Sequence, residues 1–403
     1  MRFKHGYSLI FGTMITLALV GCGGGGTALP STTPVPPVVV TPPPALPPIA
    51  VKSSSYANAK DMNIDPQTYP KLAQNNELIT SGVAFADFFQ EGKMSMVAFS
   101  NVFAGANGFG SLVPGKVYFF QKDANGAWTD KTARVLDDTT GCLSPRKVIV
   151  ADFNGDGKPD VFAACHGIDG EIPVGGKFGE HPRMLLSQVN GTYKNVDMGF
   201  DCYCHGASAA EMNTKGYADI VVTDSAIHGQ PFFLINNKNG TFTADYRRMP
   251  PSTEKNSLTC AISCPLQIYS VELIDFDNAG KFDLWLGGTN DKSIASFAPS
   301  IFKNPGNNDF SNAAVTILPS VVGYPLVLSL DIVFVNDTIY MSMVDQNYET
   351  FGIQKIDYKT LSSKLVYNHT GRFPNNYLWV DWVMPRNNKI VSLDSTFGLG
   401  IND

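Results

Sequence analysis

The chain has 403 residues, 44% of them hydrophobic, with 30 Lys and Arg against 36 Asp and Glu and a formal net charge of −6. No basic cluster stands out, which removes the electrostatic footprint expected of a nucleic-acid binder. The length exceeds the ~250–300 residues that one hydrophobic core supports, so two domains or an internal repeat is expected.

At the start, Arg2 and Lys4 precede an apolar stretch from Tyr7 to Val20. That stretch is shorter than the about 20 apolar residues of a membrane span and has the charged-then-apolar order of an export signal. Leu19-Val20-Gly21-Cys22 resembles a bacterial lipobox, which implies removal of residues 1–21 and a lipid on Cys22. An ordinary secretory signal with a chance cysteine is the alternative. Residues 22–50 run from Gly-rich to Pro-rich, a composition that forms no core but makes a flexible, then extended, tether. Gly23 rather than Asp follows the cysteine, which by resemblance to lipoproteins of two-membrane bacteria implies sorting to the outer membrane. The expected arrangement is a body of residues 51–403 held to the bacterial cell envelope by its lipid anchor.

The body opens its clearest motif at 151–160, ADFNGDGKPD. Asp152, Asn154 and Asp156 alternate, so a tight turn points three oxygens at one hard cation, and Asp160 is the next carboxylate. The opening is that of an EF-hand, but the twelfth position is Ala163 where a bidentate Glu is required. Apolar runs at 148–151 and 161–164 flank the loop, which makes it a connection between buried strands. An Asn/Asp/Gly hairpin turn without metal is the alternative.

The strand, acidic loop, strand pattern recurs. LIDFDNAGKFDLWLGG (273–288) keeps Asp275, Asp277 and Asp283, with Ala279 at one ligand offset, so a weaker metal site is expected there. SAAEMNTKGYADIVVTD (208–224) and VAFADFFQEGKMSMVAFSN (83–101) keep fewer acids, and 327–345 and 377–394 keep only paired strands around Asp331 and Asp381. Between these units lie VYFFQKDANGAWTD (117–130), RMLLSQVNGTYKN (183–195), FFLINNKNGTFTAD (232–245) and SIFKNPGNNDFSN (300–312). Each has a strand, an Asn/Gly turn and an aromatic on the returning strand. Two hairpins per repeat make a four-stranded antiparallel sheet, and a radial array of such sheets is a β-propeller, an all-β fold.

The acidic loop followed by a second hairpin with N-G-x-[FYW] resembles the FG-GAP/VCBS repeat family, related to the integrin α-subunit propeller. The resemblance implies Ca²⁺ held by Asp152, Asn154, Asp156, the Lys158 carbonyl and Asp160, and a propeller of seven blades. Six hairpins are visible here, which makes six blades, or seven with one built from 51–80 and the C-terminus.

The strand ends opposite the acidic loops collect unusual residues: Cys165-His166-Gly167, Cys202-Tyr203-Cys204-His205-Gly206, Ile227-His228-Gly229 and the segment from Cys260 to Cys264. His166, His205 and His228 make either a ligand pocket or transition-metal site, or caps on strand ends. Six cysteines beyond Cys22 in an exported chain point to disulfides. Cys142 with Cys165, at adjacent ends of one hairpin, is the best pair; Cys260 with Cys264 follows, and Cys202 and Cys204 stay unassigned. No local catalytic motif such as G-x-S-x-G or H-E-x-x-H occurs. The expectation is a non-catalytic binding module for a glycan, a peptide or an envelope protein; a propeller hydrolase or lyase acting at the channel mouth is the alternative.

Overall fold

The computed structural model describes residue 72, residues 77–102, 113–167, 179–224, 227–253, 268–289, 297–320, 326–345 and 350–370, and the backbone of 382–386, 389–393 and 398–401. The export signal, Cys22, the tether, Cys260, Cys264 and Asp381 lie outside the described residues.

Five sheets of four antiparallel strands follow one another along the chain. The first is β1 (Glu77–Ala86), β2 (Ser95–Val102), β3 (Val117–Lys122) and β4 (Trp128–Asp130), and the second is β5 (Pro145–Ala151), β6 (Asp160–Cys165), β7 (Arg183–Ser187) and β8 (Tyr193–Asp197). The third holds β9 (Cys204–Thr214), β10 (Tyr217–Asp224), β11 (Phe232–Asn236) and β12 (Phe242–Asp245). The fourth holds β13 (Ile268–Ile274), β14 (Asp283–Gly288), β15 (Ser300–Phe302) and β16 (Val315–Ile317). The fifth is β17 (Leu326–Val335), β18 (Thr338–Asp345), β19 (Thr350–Asp357) and β20 (Ser363–Thr370). The first strands of successive sheets pack side by side, β1 on β5, β5 on β9, β9 on β13 and β13 on β17, which is the order of blades in a propeller.

Five complete blades are therefore present among the described residues, not six or seven. The hairpin around Asp381 does enter a sheet, β21 (Trp382–Arg386) with β22 (Lys389–Leu393), but only one further strand joins it, β23 (Gly398–Ile401). Among the described residues this sheet has three strands. Residues 77–80, the end of the segment expected to build a seventh blade, belong to β1, which pairs with β2.

Burial falls from the axis outwards, and this explains which strands are legible. β6 is buried at every position and carries an unbroken DVFAAC, because both of its faces meet neighbouring blades. The outer β16 exposes Val315 (54%) and Ile317 (61%), so its pattern carries little information.

The inner hairpins share one irregularity. Pro145 pairs with Cys165 and Lys147 with Ala164, so Arg146 is the extra residue of a bulge. The same shift leaves out His205 in β9, Tyr269 in β13 and Val327 in β17. Each is the second residue of its strand and partly exposed in an otherwise buried run. A bulge re-aims the side chain it carries, so four blades turn one residue out at the same end of the channel.

Candidate functional site

The acidic loops have one common frame. Asp152 accepts from the Gly155 and Gly157 amides at 2.7 and 2.8 Å, Asp87 from Glu91 and Gly92 at 2.9 and 2.7 Å, and Asp275 from Ala279 and Gly280 at 2.9 and 2.8 Å. The glycine five residues after the acid has φ of 75° at Gly157, 69° at Gly92 and 74° at Gly280, a left-handed turn that a Cβ would strain. Because blades 1 and 4 keep this frame without the full ligand set, the frame belongs to the fold. The metal question turns on the remaining oxygens.

There the loops differ. In blade 4 the Lys303 ammonium lies 2.5 Å from Asp277 and 3.0 Å from Asp283, so this loop carries its own cation. In blade 2 the Lys158 ammonium turns away to the Gln188 carbonyl at 3.0 Å, and no ammonium or guanidinium among the described residues pairs with Asp152, Asp156 or Asp160. Burial raises Asp152 and pushes Asp160 up to about 7, with the Asp156 charge adding to both. Oxygen donors crowded without a counter-charge suit a hard divalent cation. Asp160 accepts from the Phe153 and Asn154 amides at 2.8 and 3.1 Å and from the Ser187 amide at 2.7 Å, and the Ser187 hydroxyl lies between Asp156 and Asp160 with one proton for the two. Asp160 thereby also fixes the loop to the second hairpin.

That last role recurs and was not legible in the sequence. Asp219 accepts from the Asn236 amide and Asp283 from the Asn304 amide, at 2.7 and 2.8 Å, as Asp160 does from Ser187. In three loops the residue after the first acid is a plug between blades. Phe88, Phe153 and Phe276, exposed by 2%, 0% and 1%, meet Tyr193, Phe242 and Tyr358 of the following blade at 6.2, 6.1 and 5.1 Å between ring centroids. The pairs D-F at 87, 152 and 275 are the signal that could have revealed it.

On the axis, Lys147 reaches across from blade 2 to Asp331 of blade 5 at 2.8 Å and Glu272 of blade 4 at 3.1 Å. Ser208 of blade 3 donates to Glu272 at 2.8 Å. Burial alone would depress the Lys147 ammonium, but Asp331 and Glu272 together outweigh it and hold Lys147 above its ordinary range. Four inner strands thus meet in a buried plug of one ammonium and two carboxylates.

Above the plug lies the mouth. His166, fully buried, and His205, the bulged residue of β9, meet at 2.8 Å between Nε2 atoms, so one imidazole donates and the other accepts. Tyr203 lies against His166 at 3.6 Å and Tyr269 against His205 at 5.1 Å, measured between ring centroids. Cys142 and Cys165 are bridged, with Cα atoms 5.5 Å apart, as expected. Cys202 and Cys204, unassigned from sequence, are bridged to each other with Cα atoms 5.1 Å apart. Glu180 ties the cluster together by accepting from the Leu143, Ser144 and Gly167 amides at 2.8 to 3.0 Å. Burial raises its carboxyl, and these amides oppose that. Glu180 and the first cysteine pair are the one group of three His, Cys, Asp or Glu residues among the described residues whose ligand atoms lie within 4.8 Å of one another. Its two sulfurs are already joined to each other, so it is a staple.

Of the three histidines expected to converge, only two do. The His228 Nδ1 is held by Asp224 at 2.6 Å, and its ring faces a groove between blades 2 and 3 beside Phe232 and Tyr246. His166, His205 and His228 thus form no single cluster of ligand atoms among the described residues.

The fold and its loops define a β-propeller of four-stranded antiparallel blades joined by acidic loops. An FG-GAP-like repeat is matched over residues 103–163, within the first two blades of this β-propeller. No curated protein sequence matches. Among solved structures, the chain is similar to an ancestral GH74 enzyme, at 12% identity and TM-score 0.45, over 80% of this chain and 41% of that one. It is similar to the Pseudomonas aeruginosa PilY1 C-terminal domain at 11% identity and TM-score 0.39, over 79% and 83%. It is similar to the exotype rhamnogalacturonan lyase YesX at 10% identity and TM-score 0.40, over 88% and 75%.

Proposed function

We propose that this chain is a lipid-anchored protein of the bacterial cell envelope, at the outer membrane, whose propeller is a non-catalytic binding module for a glycan, a peptide or an envelope protein. The observation that carries the reading is the closed plug on the axis. Glu272 and Asp331, the carboxylates at the channel centre, are buried at 0% and 2% exposure and committed to Lys147. Groups so neutralised are poorly placed to exchange protons with a substrate. What the mouth presents instead is a rim of bulged side chains, Arg146, His205 and Tyr269, on a disulfide-stapled base. A rigid scaffold presenting varied side chains suits recognition.

Calcium belongs to the same proposal as a structural ion. Asp152, Asn154, Asp156, the Lys158 carbonyl and Asp160 hold it in blade 2, while the Lys303 ammonium replaces it in blade 4. The experiment is an array of defined oligosaccharides and peptides probed with the purified chain, followed by mass spectrometry of each captured ligand. Recovery of an intact ligand whose capture falls in an Arg146→Ala variant supports the module. Release of hydrolysis or elimination products overturns it in favour of a propeller enzyme.

A further inference from the structure

The groove that takes up His228 is a second site, apart from the channel mouth. It forms where the outer strands of blades 2 and 3 part, with a cavity of about 380 Å³, inside the range of roughly 300–1,000 Å³ typical of small-ligand pockets. Its walls are aromatic: Phe200, Phe232, Phe242 and Tyr246 line it. Phe232, itself buried, packs 4.8 Å from Tyr246 and 6.3 Å from Phe200 between centroids and so backs the groove wall, leaving Tyr246 and Phe200 partly exposed at its surface.

Two polar groups interrupt that surface. Asp224 has a fully buried side chain, accepts the Ile227 amide at 2.9 Å on one oxygen and holds the His228 Nδ1 at 2.6 Å on the other. An imidazole bound through Nδ1 has a fixed ring orientation, and in its neutral form carries its lone pair on Nε2. Asp197 is the second group. Burial pushes its carboxyl up, but the Gly199 amide and His181 outweigh that and keep it ionised. His181 at 2.7 Å and Arg183 at 3.8 Å already supply it with positive charge.

We infer that this groove binds a neutral pyranose ring, which stacks its C–H face on Tyr246 and gives hydroxyl hydrogen bonds to His228 Nε2 and Asp197. The alternatives fit less well. A phenylalanine side chain would find the ring face but bring no donor to the two acceptors, and covering acceptors without a donor is costly. An anionic ligand meets Asp197. A cationic one meets a carboxylate that His181 and Arg183 already serve. A sugar ring has an apolar face and a rim of donors, the same division as the groove.

The inference rests on the binding-module reading for the expectation that the sugar leaves unchanged. Saturation-transfer NMR with the full chain and a panel of neutral methyl pyranosides tests it, with phenylalanine amide as the peptide-like probe. At least one pyranoside receives saturation from wild type, and His228→Ala and Tyr246→Ala each weaken it about tenfold, the scale of one lost hydrogen bond or stacking contact. Should Tyr246→Ala melt early, His228→Gln carries the test, since its amide still donates to Asp224 while Nε2 is gone. Saturation of no pyranoside, pyranoside binding that is indifferent to His228 and Tyr246, or binding of phenylalanine amide alone overturns the inference. If binding instead depends on Arg146, the groove fails while the module stands. If a pyranoside is cleaved in a His228-dependent way, the groove stands and the non-catalytic reading fails.

Discussion

Replacing Lys147 with Met isolates the energetics of the axial plug. The ammonium lies 2.8 Å from Asp331 and 3.1 Å from Glu272, and all three side chains are at most 9% exposed. Methionine fills similar volume but leaves two carboxylates buried without a counter-charge. Breaking a buried ion pair by removing one partner costs about 3–5 kcal/mol. Spread over a chain of this length, at ~2.1 cal/mol/K of unfolding entropy per residue, that lowers the melting temperature by roughly 4–6 °C at neutral pH. In wild type the lysine is held above its ordinary 10.5, so its contribution is complete below that value and changes little at neutral pH. Adding Glu272→Gln and Asp331→Asn should recover most of the deficit. Calorimetric melting between about pH 4 and 8 reads all of this. A single variant that melts with wild type across that range would show that the plug is hydrated and open.

Four further outcomes follow from the described contacts. Removal of the Cys142–Cys165 bridge, which closes 23 residues, should cost about 3 kcal/mol in urea titration, and Cys202–Cys204 clearly less because its loop spans only 2; peptide mapping without reductant should find both pairs. Chelation should destabilise wild type by about 2.7 kcal/mol relative to calcium at a hundredfold excess over Kd, and Asp156→Ala should abolish most of that difference. An unchanged melting temperature on chelation would leave ADFNGDGKPD a turn. Phe276→Ala should cost about 3–5 kcal/mol, since the ring is buried between Phe334 and Tyr358; a loss below about 1 kcal/mol would mean the blades do not depend on it. A Cys22→Ser chain should reach the envelope without fatty-acid label, whereas labelling equal to wild type would place the lipid elsewhere.

The architecture was readable because burial writes itself into composition. The inner pairs around Asp87, Asp152, Asp275 and Asp331 are buried on both faces and stand out as unbroken apolar runs. The Cys142–Cys165 bridge was readable too, because antiparallel pairing brings the ends of one hairpin together. Blade number was not, since a hairpin signals two strands and says nothing of the strands that complete its sheet. The axial plug depends on Lys147, Glu272 and Asp331 meeting across 184 residues of separation, and no local pattern marks such a meeting. The bulges were hidden for another reason: Arg146, His205, Tyr269 and Val327 share a position but no chemistry. His228 was grouped with His166 and His205 because all three precede glycine. Asp224, four residues upstream, is the feature that sets it apart.

The plugs at Phe88, Phe153 and Phe276 impose a direction on how the molecule is made. Each loop is sealed by a residue encoded later: the Phe88 carbonyl by the Tyr193 hydroxyl, the Phe153 carbonyl by the Asn236 amide, the Met212 carbonyl by the Asn308 amide. A chain emerging from its N-terminus therefore always carries one unsealed loop, and the next blade to arrive is what closes it. Ribosomal or translocon pausing between blades would hold an aromatic ring in water, open to chaperones or to a neighbour's blade. Moving the chain ends by circular permutation should accordingly be tolerated between complete blade pairs only when the sealing residue stays downstream of its loop.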